Sequence, residues 1–253
     1  MPEINTSLAA VADDQTFDVV VIGSGGAGLS AALFAAIDGA RVLVVERTAH
    51  VGGTTALSAG TTWVPCTKRG LQVQADDTLA RASRFLDLSV GERSERALRQ
   101  AFLENGPAAV AQLEQHSDVQ YQVRPLHPDY LSELEGSALR GRAIEPQPFD
   151  GRLLGKALSL IRPPIPEFTV LGGMMVDRDD IFHLLRLTQS WTSFTYALRI
   201  IARHAMDRLF WPRGTRLVMG NALIGRLLLS LLKRGVQIVT DTELQSLVQE
   251  GSQ

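Results

Sequence analysis

The segment VVVIGSGGAGLSA (Val19–Ala31) constrains this chain more than any other. Gly23, Gly25 and Gly28 form G-x-G-x-x-G directly behind a β-branched run, FDVVVI (Phe17–Ile22), and directly ahead of the alanine- and leucine-rich GGAGLSAALFAAID (Gly25–Asp38). The run is short and apolar enough for a buried parallel strand, and the stretch after it predicts a helix that Gly39 closes. RVLVVE (Arg41–Glu46) predicts a second buried strand. Strand, tight turn, helix and strand in immediate succession make a βαβ unit, whose parallel crossover is right-handed.

Each glycine of such a unit has its own reason. Gly23 permits the tight turn, Gly25 lets backbone approach a pyrophosphate, and Gly28 lets the helix pack closely on the sheet. The phosphates then meet unpaired N–H groups at the positive end of the helix dipole. Glu46 ends the second strand, 18 residues after Gly28, where a carboxylate accepts hydrogen bonds from ribose hydroxyls. A 2′-phosphate there would meet like charge, which disfavours NADP. The plain alternative is a glycine-rich turn that holds no ligand.

The next segment separates FAD from NAD. From Gly52-Gly53-Thr54-Thr55 through Thr62, the small-residue run holds one large side chain, Leu57. Such a run lets backbone pass close to a flat ring and a second phosphate, with the Thr54, Thr55 and Ser58 hydroxyls as donors. Its alternative is a surface loop, since small residues also mark turns.

Further along, helical patterns cover Ala75–Leu88, Glu92–Glu104 (stopped at Gly106-Pro107) and Pro107–His116, and Val119–Val123 alternates as a short strand would. Residues 124–173 are rich in proline and glycine and read as an ordered excursion. A long helical region over Asp179–Trp211, a turn at Pro212–Arg216, a helix over Asn221–Arg234 and strands over Val236–Val239 and Glu243–Val248 complete the pattern. The expected fold is α/β, a Rossmann-like parallel sheet with helices on both faces. Residues 1–16 would be a flexible tail, 17–66 the dinucleotide core and flavin loop, 67–213 a helix-rich excursion, and 214–253 a helix and strands returning to the core.

Composition excludes several classes. A net charge of −2 over 253 residues removes the bulk attraction a general nucleic-acid binder needs. Cys66 is the only cysteine, so no internal disulfide framework or multi-cysteine metal site exists, and the five histidines show no H-x-x-x-H or H-E-x-x-H spacing. Cys66 beside the small-residue loop reads mainly as packing. No G-x-S-x-G elbow supports a hydrolase. No secretory signal and no membrane-length apolar run is visible, so a cytoplasmic location is expected. Between Ile181 and Arg234, nine Arg/Lys face one acid, Asp207, with aromatics interleaved; this is either a partner or membrane-surface face or the solvated side of core helices.

The pair VVVIGSGGAGLSAALFAA and VGGTTALSAGTTWVP resembles the FAD-binding family of fumarate reductase and succinate dehydrogenase flavoproteins. Within it, HPDYLSELEGS (His127–Ser137), GRAIEPQPFDGRLLG (Gly141–Gly155) and RGTRLVMGNALIGRLL (Arg213–Leu228) resemble the 3-ketosteroid Δ1-dehydrogenase-like branch. The resemblance implies FAD as cofactor. Gly23, Ser24, Gly25, Ala27 and Gly28 would hold its pyrophosphate, and Glu46 the adenosine ribose with Arg47 beside it. Gly53, Thr54, Thr55, Ser58, Ala59, Gly60 and Thr61 would line the pyrophosphate, ribityl chain and isoalloxazine, with Leu244 backbone at the adenine. The branch usually carries a glycine triplet where this chain has Ala59-Gly60-Thr61, so a positive φ at 59 or 61 would be strained. Tyr130 matches an active-site tyrosine of the branch; its alternative is a loop tyrosine bonded to backbone.

Members of that branch are considerably longer, and their substrate-binding domain and principal base lie in later parts. The resemblance therefore implies an N-terminal half whose sheet is unfinished. Two functions are expected from it. One is dehydrogenation of a C–C bond next to a carbonyl in a small, steroid-like molecule, by hydride transfer to flavin N5. The other is a truncated, non-catalytic FAD-binding fragment. An NAD-binding Rossmann protein is disfavoured by the segment after Glu46. Exposed sheet edges and faces predict self-association.

Overall fold

The computed structural model describes residues 6–248. They form two compact units, one made of residues 6–58 and 148–248, the other of residues 59–147. The chain passes between the units after Ser58 and again after Gln147; the sequence reading sets its own divisions at 66/67 and 213/214.

The first unit opens with the expected βαβ. Strand β1 (Val19–Ile22), helix α1 (Gly26–Ile37) and strand β2 (Val42–Val45) follow in order, and β1 pairs with β2 in parallel, Val19 opposite Val42 through Ile22 opposite Val45. α1 packs on both strands and buries Leu29, Ala32 and Leu33 completely. Val42–Val45 are all buried, as the sequence predicts for a central parallel strand.

β1 differs from that expectation. Its residues alternate, and Val20 and Ile22 are 50% and 52% exposed. They share a sheet face with Leu43 and Val45, because their registers are paired. On that face Val11 and Phe17 pack against Leu43, Val45 and Val239. Among the described residues the sheet is therefore not covered by helices on both faces. Residues 6–16, expected as a tail, carry a 3-10 turn at Leu8–Ala10 and supply part of this cover. Residues 1–5 and 249–253 lie outside the described residues.

In the second unit, β3 (Thr62–Trp63) is followed by α2 (Lys68–Val73), α3 (Leu79–Val90), α4 (Arg96–His116), β4 (Tyr121–Val123) and β5 (Ala143–Pro146). The strands form an antiparallel sheet in the order β3-β5-β4. α3 starts later than the aspartate-led pattern suggests, because Thr78 caps it through its hydroxyl and the Arg81 N–H. α4 runs through Gly106-Pro107, where the sequence pattern suggests two helices. Proline removes one hydrogen bond, but Leu103, Val110 and Leu113 are buried on either side of it and carry the helix across. Arg142, 1% exposed, holds this unit together: its guanidinium pairs with both Asp77 oxygens (2.9 and 2.6 Å) and with Asp129 at 2.9 Å. Asp129 also accepts from Trp63 Nε1 at 2.6 Å.

The chain returns to the first unit with β6 (Phe149–Asp150), β7 (Thr169–Val170), β8 (Met174–Met175), α5 (Arg178–Leu185), α6 (Trp191–Phe210), β9 (Arg216–Leu217), α7 (Met219–Lys233) and β10 (Gln237–Val239). The long helix expected over 179–211 is two helices. A capping box between Asp177 and Asp180 starts α5, and Asp180 accepts from Tyr196 Oη and Arg216 Nη1, both at 2.7 Å. These bonds fix α5 to α6 and β9, and the Thr188-Gln189-Ser190 segment gives the chain its bend.

α7 is the buried centre of this unit: Ile224, Leu227, Leu228 and Leu231 are fully enclosed, and α1 packs against it. β10 joins the parallel sheet beside β2, giving the order β1-β2-β10. The strand expected over Glu243–Val248 does not form. Asp241 takes a positive φ of 51° and turns the chain off the sheet, and residues 242–248 pair with no strand among the described residues.

Candidate dinucleotide site

At the carboxyl ends of β1 and β2 the first unit holds a cavity of about 590 Å³. Ligands of open α/β sheets bind at this end of the strands. Its wall contains Gly23, Ser24, Gly25, Glu46, Arg47, Gly53, Thr54 and Leu244, all predicted from the sequence. Thr48, Leu57, Arg162, Thr242 and Glu243 also line it and were not predicted.

Two glycine loops meet here. Gly25 and Gly52 form an isolated parallel bridge, and the Gly52 N–H donates to Ser24 O at 3.0 Å. The turn after β1 and the loop from Gly52 are thus one backbone surface. Gly28 and Gly25 play opposite parts in it. A Cβ on Gly28 would overlap the Gly23 carbonyl oxygen, so this glycine exists for packing. A Cβ on Gly25 would meet nothing within 4 Å, so it stands against open space in the cavity wall. Ala27 is exposed on α1 and is not part of the wall.

Glu46 is 7% exposed and accepts four hydrogen bonds. Oε2 takes the Ser24 N–H at 3.0 Å and the Ser24 hydroxyl at 2.6 Å; Oε1 takes the Thr48 N–H and hydroxyl, both at 2.9 Å. A carboxylate has about four lone-pair sites, so these four donors fill it. Burial pushes the Glu46 carboxyl up, but the Ser24 hydroxyl, the Thr48 and Ser24 N–H groups and the Thr48 hydroxyl pull it down further, and it ends below its ordinary value. A ribose diol meeting Glu46 would have to exchange with one of these hydroxyls. Thr48 Oγ1 lies 2.9 Å from the His50 carbonyl as well as from Glu46, so its single proton has a second acceptor ready.

Thr55 and Ser58 make bonds within the protein. Thr55 Oγ1 accepts from the Gly26 N–H at 3.1 Å, capping α1, and the Ser58 hydroxyl donates to Thr55 O at 2.8 Å. Their loop is held by α7. Asn221, fully buried, donates through Nδ2 to Ala56 O at 2.8 Å and accepts from Arg213 Nη2 at 2.7 Å. Burial pulls Arg213 down to about 10.

Ala59, Gly60 and Thr61 belong to the second unit. Only Gly60 has a positive φ, 68°, and neither Ala59 nor Thr61 does, so the substitution of the glycine triplet carries no backbone strain. Tyr130 also lies in the second unit and is 101% exposed, one residue from the buried Asp129. Cys66 is half-buried there, and burial with the nearby Asp77 raises its thiol while Arg142 lowers it; the net shift is upward, which keeps it a packing thiol. Among the described residues no helix is long and apolar enough to cross a membrane.

A βαβ unit with two bridged glycine loops and a buried acid at the second strand has the parts of a dinucleotide-binding domain. Residues 18–253 match the family described as FAD binding domain, and the chain belongs to that family; its cofactor is FAD. The chain is 36% identical over 222 residues to 4-oxocyclohex-2-ene-1-carboxylate 5-dehydrogenase of Sinomonas cyclohexanicum, covering 87% of this chain and 37% of that protein. It is 33% identical over 237 residues to 3-oxosteroid 1-dehydrogenase of Mycolicibacterium smegmatis, covering 93% and 41%. The crystal structure of 3-ketosteroid Δ1-dehydrogenase from Sterolibacterium denitrificans, in complex with 1,4-androstadiene-3,17-dione, superimposes with a TM-score of 0.83 at 29% identity, covering 93% of this chain and 42% of that one. The chain thus spans about two-fifths of the length of these relatives.

Proposed function

We propose that this chain contributes the FAD-binding part of a dehydrogenase acting on a C–C bond next to a carbonyl, on a cyclic ketone or ketosteroid. The observation that carries the reading is the cavity wall, where Gly25, Glu46, Gly53 and Thr54 stand together beside open space. Bound FAD supplies a two-electron acceptor, so that hydride from one substrate carbon and a proton from its neighbour leave together as the C–C bond becomes double. The residues of this chain hold and orient that acceptor. Gly23–Gly25 and Gly53–Thr54 approach its diphosphate, and Glu46 accepts from its ribose once the Thr48 hydroxyl turns to His50 O. The Leu244 backbone flanks the adenine. Tyr130, in the second unit, would assist the removal of the substrate proton, with the principal base supplied by the later parts that the resemblance implies.

The exposure of Tyr130 supports a second reading, a chain that binds FAD without turning over substrate. A side chain surrounded by water is not held within reach of one substrate proton, as general acid–base work requires. The visible spectrum of the purified protein, before and after FAD is added and excess removed, tests the binding common to both. Retained flavin bands are expected, and a protein that stays colourless would defeat both readings. Assay of a cyclic ketone or ketosteroid with an artificial electron acceptor then separates them. With turnover present, Tyr130→Phe is expected to reduce it at least about tenfold while leaving the flavin bands unchanged; equal turnover would remove Tyr130 from the chemistry.

A further inference from the structure

The expected phosphate-binding turn has fewer free donors than its sequence promises. The Ser24 N–H is held by Glu46 and the Gly26 N–H by Thr55 Oγ1, so two amide donors beside Gly25 are already engaged. Glu46 adds a negative charge to the same wall. A diphosphate entering this cavity needs positive charge from elsewhere. Two cations line the cavity, the exposed Arg47 and the partly buried Arg162.

Arg162 reaches the wall through a backbone device far from the glycine motif. Val51 and Ile161 form an isolated parallel bridge, with Val51 N–H donating to Leu160 O at 2.7 Å and Arg162 N–H donating to Val51 O at 2.9 Å. This sets the guanidinium beside Thr48, whose Oγ1 accepts from Nη2 at 3.0 Å. The Nε is buried and has no hydrogen-bond partner. Among the described residues no carboxylate pairs with Arg162, whereas the buried guanidinium of Arg142 is paired with two. The Glu46 carboxylate reaches Arg162 only through the Thr48 hydroxyl, so a partly enclosed guanidinium with an unpaired Nε gains from an anion in direct contact, and a planar fork of donors suits phosphate oxygens.

We infer that Arg162 is an anion-binding residue of the dinucleotide site and pairs with the diphosphate of the bound ligand. The inference rests on the FAD reading above and adds to it a residue that no sequence motif marks. FAD, ADP and adenosine, titrated against the purified 253-residue chain, test it. Arg162→Gln is expected to weaken FAD and ADP by about 10- to 100-fold, the range of a charge-assisted hydrogen bond, and to leave adenosine within about twofold. Arg162→Lys keeps the charge but loses the fork; it is expected to weaken ADP by a few-fold with adenosine again unchanged, which covers the case of an unstable glutamine variant. The salt dependence of ADP binding should be shallower in the glutamine variant than in the wild type. Equal losses for ADP and adenosine would make Arg162 a merely structural support and overturn the proposal, as would unchanged ADP affinity in both variants. Wild-type protein that binds neither FAD nor ADP would instead overturn the dinucleotide reading itself, and Arg162 with it.

Discussion

Glu46 joins the end of β2 to Ser24 in the glycine turn and to Thr48 with one carboxylate. Its place in the cavity wall was legible in the sequence, because an acid that closes the second strand of a βαβ unit lies at the carboxyl end of the sheet, where ligands bind. Its bonds to Ser24 and Thr48 were not legible, since a serine inside G-x-G-x-x-G looks interchangeable in a one-dimensional pattern. The folded carboxyl titrates below its ordinary value of 4.5. Its stabilising contribution is therefore complete above that value and is lost as pH falls through the lower folded one. Glu46→Gln keeps one acceptor oxygen but turns its NH2 toward either the Ser24 or the Thr48 N–H group, and is expected to cost about 2 kcal/mol at neutral pH. Urea unfolding at about pH 7 and about pH 3 checks this: the gap between wild type and variant should shrink in acid. The glycines give a sharper pair. Gly28→Ala forces Cβ into the Gly23 carbonyl and should destabilise the fold by about 1–3 kcal/mol. Gly25→Val fills open space in the cavity wall, and should leave the apo melting temperature nearly unchanged while abolishing flavin retention. Arg162 was invisible in the sequence for a different reason: it lies 114 residues from its partner Thr48, and only the Val51–Ile161 bridge brings the two together.

At the scale of elements, local signals succeeded where tertiary contacts agreed with them and failed where contacts overrode them. β1, α1 and β2 appear where the β-branched runs and the alanine-rich stretch put them. The two helices expected around Gly106-Pro107 are one, because a buried stripe through Leu103, Val110 and Leu113 outweighs the missing N–H. Pro107→Ala should therefore stabilise α4, by about 1–3 kcal/mol on intrinsic helix propensity, and a rise in melting temperature would report it. The reverse error occurred at 186–190, where continuous helical periodicity hides a break that the Asp180 bonds to Tyr196 and Arg216 impose. The failed strand over 243–248 has a related cause: its apolar residues Leu244, Leu247 and Val248 do not alternate, and among the described residues no neighbouring strand pairs with it.

The whole molecule leaves one sheet face half covered. Val11 and Phe17 shelter Leu43, Val45 and Val239, while Val20 and Ile22 stay about half exposed beside them. Adjacent apolar side chains on a strand face invite association. Sedimentation velocity should show concentration-dependent self-association of the 253-residue chain, and Val20→Thr should reduce it; a monomer at all concentrations would remove the face as a cause. The bridge between Gly25 and Gly52 has a consequence for ligands rather than for folding. Because it fixes the two loops to each other in advance, a diphosphate that engaged both would have no loop left to order, and less of its binding energy would be spent on arranging the site.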